Sequence, residues 1–131
     1  MNTFKIKHIL TLLFVISATL LKADVFDDVI NAFKTQNTKE VIKYLNSSVE
    51  LTILDNDGVY SKQQAEIILK SFFNQNPPKN VTMQHRGSSG QGSKYGIAVY
   101  ETNIAKYRIY VFIKEGASNT NMIHEMRIEK E

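Results

Sequence analysis

His85, Tyr95, Tyr107 and His124 are the side chains in this sequence best suited to chemistry, because all four fall on strand-forming segments of one register. An imidazole titrates near neutral pH, so a histidine lining a pocket beside a phenol can take a proton and return it. Such sites usually hold a second polarising group, often a carboxylate. Here the carboxylates are poorly placed: Glu101 falls at a strand end and Glu125 on the opposite face of the register described below. His85 or His124 acting as a base with Tyr95 is the acid–base set that remains. Nothing in their spacing requires it, so no catalytic residue is assigned. Zinc needs three or four ligands, and the chain has no cysteine and no His-x-x-x-His pair. Neither a metal nor another cofactor is expected.

Two motifs resemble ligand loops without meeting their requirements. The run Gly87-Ser88-Ser89-Gly90-Gln91-Gly92-Ser93-Lys94 is glycine-rich. Its lysine does not follow the last glycine, and it joins two strands instead of opening a helix, so it is a hairpin connection and not a phosphate loop. Asp55-Asn56-Asp57-Gly58 starts like a calcium loop but lacks the later ligands and the closing glutamate. It reads as a tight turn.

The elements that position these residues follow from periodicity. Asp24 caps a helix carrying Val25, Phe26, Val29, Ile30 and Phe33 on one stripe. Thr38 caps a second, short helix with Val41, Ile42 and Leu45 inward. Asn46 to Leu54 alternates and reads as a strand, and Val59-Tyr60 returns from the turn. Ser61 and Gln64 form a capping-box pattern ahead of Ala65, Ile68, Leu69, Phe72 and Phe73, and Asn76-Pro77-Pro78 ends that helix. Strands are predicted at Asn80 to Gly87, Tyr95 to Thr102, Tyr107 to Lys114 and Asn121 to Glu129, joined by short turns that imply antiparallel pairing. Helices followed by a four-strand meander give an α+β domain, with helices on one sheet face.

Alternation sorts the strands into two faces. The helix-facing set is predicted as Val81, Met83 and His85; Tyr95, Ile97 and Val99; Tyr107, Ile109, Val111 and Ile113; and Met122, His124, Met126 and Ile128. His85, Tyr95, Tyr107 and His124 then form a polar minority on an apolar concave wall, the composition of a small-molecule pocket. They are equally the composition of a core whose histidines and tyrosines each satisfy one hydrogen bond. The other face carries Arg86, Tyr100, Arg108, Tyr110 and Phe112. Of these, Tyr100, Arg108, Tyr110 and Phe112 are the candidate pairing surface, since exposed aromatic patches mark association sites.

Met1 to Ala23 reads as an export signal: Lys5, Lys7 and His8, an apolar run from Ile9 to Ile16 continued through Ala18, Leu20 and Leu21, then small Ala23 before Asp24. Leu21 stands where a small residue would be ideal, which favours an uncleaved anchor. Against that, the apolar stretch is shorter than the ~20 residues a spanning helix needs, and no second one follows. With no cysteine, lipidation at the processing site is excluded. The sequence thus divides into a signal, 1–23, and one domain, 24–131, long enough to bury a core without disulfides. The chain's net charge of +3 comes from the signal, because Lys5, Lys7 and Lys22 supply three of its 16 basic residues and leave thirteen against 13 acidic ones. A neutral domain with interspersed charges points away from nucleic acid, and after cleavage away from membrane.

The order of elements resembles the nuclear transport factor two-like fold, a cone of bent, mainly antiparallel sheet closed by helices (cystatin-like in outline). The segments Asp24-Val25-Phe26-Asp27-Asp28-Val29-Ile30, Ser48-Val49-Glu50-Leu51, Gly58-Val59-Tyr60-Ser61-Lys62 and Glu125-Met126-Arg127-Ile128-Glu129-Lys130 are similar to a family of small exported bacterial proteins of unknown function in that superfamily. The resemblance covers essentially all of 24–131. It implies a periplasmic or secreted protein of a Gram-negative bacterium, and a fold that often dimerises through its sheet. The superfamily includes isomerases and dehydratases with acid–base residues in the cone, but fold does not transfer activity. Three readings stay open: a non-catalytic exported module binding a small ligand or a protein partner through its cavity or sheet face; an isomerase- or lyase-like enzyme using His85 or His124 as base; and a structural dimer with a filled cone.

Overall fold

Asp24 fixes the start of the first helix. In the computed structural model, which describes residues 24–116 and 120–131, its carboxylate accepts a hydrogen bond from the Phe26 amide at 3.1 Å. The signal reading of Met1 to Ala23 lies outside the described residues. Helix α1 (Val25–Lys34) turns Phe26, Val29, Ile30, Ala32 and Phe33 inward, with Asp27 and Asp28 at its positive end and Lys34 at its negative end. Helix α2 (Thr38–Lys43) is capped by Asn37, one residue before the predicted Thr38, through a 3.1 Å bond from the Glu40 amide. Helix α3 (Lys62–Gln75) follows later in the chain, and its Ser61–Gln64 capping box is complete.

The strands are β1 (Leu45–Ile53), β2 (Asn56–Ser61), β3 (Asn80–Gly90), β4 (Ser93–Glu101), β5 (Lys106–Glu115) and β6 (Asn121–Lys130). They form one six-stranded sheet in the order β2-β1-β6-β5-β4-β3. The meander β3 to β6 is antiparallel throughout, as is the β1–β2 hairpin. The two units join through a parallel pairing of β1 with β6, which alternation alone does not reveal. The domain is α+β, with a curved, mainly antiparallel sheet. The glycine-rich connection is tighter than predicted: β3 runs to Gly90 and β4 starts at Ser93, because Gly90, Gln91 and Gly92 all adopt positive φ, 84°, 52° and 77°, and close a narrow hairpin.

The space between helices and sheet is filled by rings. Phe33 meets Phe73 edge-on at 5.3 Å, and Phe72 meets Tyr107 edge-on at 5.3 Å and Tyr100 at 5.2 Å. Both tyrosine hydroxyls donate to Asn76, the residue that ends α3: Tyr107 to its side-chain Oδ1 at 2.8 Å, Tyr100 to its carbonyl. Burial pushes the Tyr100 phenol above its ordinary pKa, so it stays protonated as a donor. The pocket left beneath α1, among Phe26, Val29, Met83, Gly96 and Ala98, measures about 10 Å³, room for no more than a water.

Helix α1 sits on β4 at Gly96, where a Cβ would lie 2.8 Å from the Phe26 ring. Gly96→Ala should therefore destabilise the fold by about 1–3 kcal/mol through overpacking. Urea unfolding measures this, and an unchanged midpoint would mean that α1 is not seated there.

Candidate functional site

The face of the sheet away from the helices collects most of the chemistry-bearing side chains, and it does so by reversing parts of the predicted alternation. Strand β4 is turned over: Gly96, Ala98 and Tyr100 are buried under the helices, while Tyr95, Ile97 and Val99 face outward, opposite Phe112, Tyr110 and Arg108 of β5. The physical reason is the close approach of α1, which needs small residues beneath it. Tyr100 is thus a core residue, 0 % exposed, and is not on the pairing face. Tyr107 is buried as predicted, but it belongs to the packed ring cluster.

Two bulges move the histidines. An extra residue in β3, between Met83 and His85, shifts the register so that His85 pairs with outward Ile97. Arg86 then faces α1 and bonds Asp24 at 2.7 Å and Asp27. In β6, Phe112 is paired with Glu125 but Ile113 with Ile123, which leaves His124 as the extra residue. Ile123 drops into the core, and Met122 moves to the outer side, opposite Lys114. Neither histidine therefore stands on a concave wall. The predicted set of His85, Tyr95, Tyr107 and His124 is split: His85, Tyr95 and His124 lie outside and Tyr107 inside.

On the outer face the geometry is continuous. His85 Nε2 and Tyr95 Oη are 2.9 Å apart. A Cβ at Gly87 would fall 2.5 Å from the Tyr95 ring, so glycine is what lets that ring lie across β3. Tyr95 stacks towards Tyr110 at 6.4 Å with 26° between planes. The Arg127 guanidinium covers Tyr110 at 5.5 Å while its Nε donates to Glu125 Oε1 at 2.7 Å. Burial, then the Glu125 charge, raises the Tyr110 pKa. Arg108, also on this face, is held 3.8 Å from Glu131. Tyr95, Ile97, Val99, Tyr110 and Phe112 are half-buried, and no helix among the described residues covers them.

At one end of this face the sheet parts. Strand β1 follows β6 from Glu50 to Ile53, but the next pair, Leu45 with Ile123, is reached only after five residues of β1 against two of β6. The result is a cleft of about 380 Å³. Asn46, Ser48 and Glu50 line its β1 side, Lys114 and Phe112 its β5 side, and His124 its floor. Lys114 Nζ lies 5.7 Å over the Phe112 ring. Partial burial, then the Lys114 charge, lowers the His124 pKa below the usual 6.5, so the imidazole is neutral at pH 7. Among the described residues no cluster of acidic, histidine or cysteine ligands could hold a metal.

Residues 26–129 match the family described as Domain of unknown function (DUF4783). The chain belongs to that family. Solved DUF4783 proteins are similar along their whole length. The one from Bacteroides uniformis is 30% identical with a TM-score of 0.75, over 82% of this chain and 98% of that one. The one from Bacteroides fragilis is 29% identical with a TM-score of 0.73, over 84% and 100%. A ketosteroid isomerase-like protein from Erwinia carotovora atroseptica shares the fold alone, at 10% identity and a TM-score of 0.63 over 79% of this chain and 88% of that one. No curated protein matches the chain. The chain thus has the nuclear transport factor two-like, cystatin-like fold that the sequence resemblance implied.

Because His124 has a lowered pKa in the folded chain, the unfolded chain binds the extra proton first as pH falls. The stability tied to this group is complete above about 6.5 and is lost as pH drops towards the folded value. Following both histidines of the domain by NMR should show His124 titrating below 6.5 and moving up in Lys114→Gln. No movement would remove Lys114 as a cause.

Proposed function

We propose that this DUF4783 protein is an exported, non-catalytic binding module that works through the outer face of its sheet, with a second copy of itself as the first occupant. The observation that carries this is the pairing of a packed interior with an uncovered aromatic exterior. The cone that houses acid–base residues in related folds is here filled by Phe33, Phe72, Phe73, Tyr100 and Tyr107, which removes the enclosed, water-poor space that such chemistry uses. The outer face instead offers Tyr95, Ile97, Val99, Tyr110 and Phe112 in register across β4 and β5.

The charges around this patch favour self-association. Arg108, Lys114 and Arg127 alternate with Glu50, Glu125 and Glu129, so two copies can meet without opposing blocks of one sign. Four strands of about eight residues present roughly 500 Å² in projection, and side-chain relief raises that towards the ~800 Å² per partner of a standard stable interface. Tyr100 no longer belongs to the surface, which is re-centred on Tyr110 and Phe112 with Tyr95 and Ile97 added. Support for export comes from the cationic head, apolar run and Ala23 ahead of Asp24.

Analytical ultracentrifugation should find a dimer that Tyr110→Glu converts to a monomer, with its circular dichroism spectrum unchanged. A wild-type monomer at high concentration would sink the pairing. Expression of the full chain in a Gram-negative host should yield a periplasmic or secreted product whose mass begins at Asp24. A cytoplasmic product retaining Met1 would sink the export reading.

A further inference from the structure

We infer that the cleft between β1 and β6 is a binding site for a small α-amino acid with an apolar side chain, held as the zwitterion between Glu50 and Lys114. The cleft shares Phe112, Glu50 and Lys114 with the proposed pairing face, and the closing experiment tells the two apart.

The cleft is built by irregularities that a plain sheet would not carry. The register between β1 and β6 breaks between Leu45 and Glu50, and β6 bulges at His124 in the same place. Bulges re-aim side chains and are over-represented beside binding sites. Asn46 helps hold the widened segment open by donating from Nδ2 to the Ser48 carbonyl at 3.1 Å. The volume of about 380 Å³ lies at the small end of ligand pockets.

Its charges are opposite in sign, separate and uncommitted. Glu125, the other carboxylate at the cleft, is taken by Arg127 at 2.7 Å. Among the described residues Glu50 makes no ion pair, and Lys114, resting over the Phe112 ring, has no carboxylate partner. These two stand on β1 and β5, with β6 between, so their strands are about 10 Å apart. An α-amino acid spans about 3 Å from ammonium nitrogen to carboxylate oxygen. Two charge-assisted hydrogen bonds of about 2.8 Å each bring the total to roughly 8–9 Å, a span that two long side chains lining one cleft can close on. The ammonium would face Glu50 and the carboxylate Lys114. His124, neutral at pH 7, adds a hydrogen bond without upsetting the balance, and Ser48 and Asn46 add polar partners. Val59 and Phe112 supply the apolar walls that select the side chain.

The test is a titration of the ¹⁵N-labelled full chain with L-leucine, 3-methylbutylamine and 4-methylpentanoate, the last two being leucine without its carboxylate and without its ammonium. L-Leucine should give saturable shifts at Glu50, Lys114 and His124, and each single-charge analogue should bind at least about tenfold more weakly. Glu50→Gln and Lys114→Gln should each weaken leucine about tenfold, while Arg108→Gln, at the other end of the face, should not; the same spectra report whether each variant is folded. No saturable shift with leucine up to about 20 mM, analogues binding within about twofold of leucine, or full affinity in Glu50→Gln would each overturn the inference. Sedimentation of the same samples separates it from the pairing proposal: a monomer that binds leucine retains this site, and a dimer that does not bind it retains only the interface.

Discussion

The seating of α1 on β4 is the contact that the rest of the domain depends on. Phe26 lies against Gly96 with no room for even a methyl group between them. That approach requires the small side of β4, Gly96 and Ala98, to face the helices. A strand has only two faces, so Tyr95, Ile97 and Val99 are driven outward as a set. The same helix end is tied to β3 through Arg86 and the Asp24 and Asp27 carboxylates. One packing choice thus determines both what fills the cone and what decorates the opposite surface.

The ring cluster inside the cone follows from that choice. Tyr100 is brought beneath α3 beside Phe72 and Phe73, and its hydroxyl, with that of Tyr107, satisfies Asn76 at the helix end. A buried phenol needs such a partner, and a helix terminus needs its polar groups satisfied. The two needs are met at one residue. An isomerase-like protein shares the fold, and in this chain the space between helices and sheet is a packed core.

The helices and strands were legible because their signals are local: the Asp24 cap, the Ser61–Gln64 box, the Asn76-Pro77-Pro78 stop and the alternation in β5 all stand in the structure close to where periodicity places them. The faces of β3, β4 and β6 were not. In β4 both sides are apolar, and size, not polarity, decides which is inside. In β3 and β6 a single extra residue reverses everything beyond it, and neither Gln84 nor His124 announces a bulge by its type. The cleft was invisible for a related reason, since it arises from the parallel junction of β1 and β6, two strands far apart in the sequence.

That junction also governs how the domain comes into being. The sheet is completed only when β6, ending at Lys130, lies between β5 and the first-made strand β1. Until then β1 presents an open edge, and the helices have half a floor to rest on. Closure across the 75 residues from Glu50 to Glu125 makes this a slow, late step. A chain of this topology cannot finish folding from its leading end. It reaches its native form only once β6 is free to lie between β1 and β5.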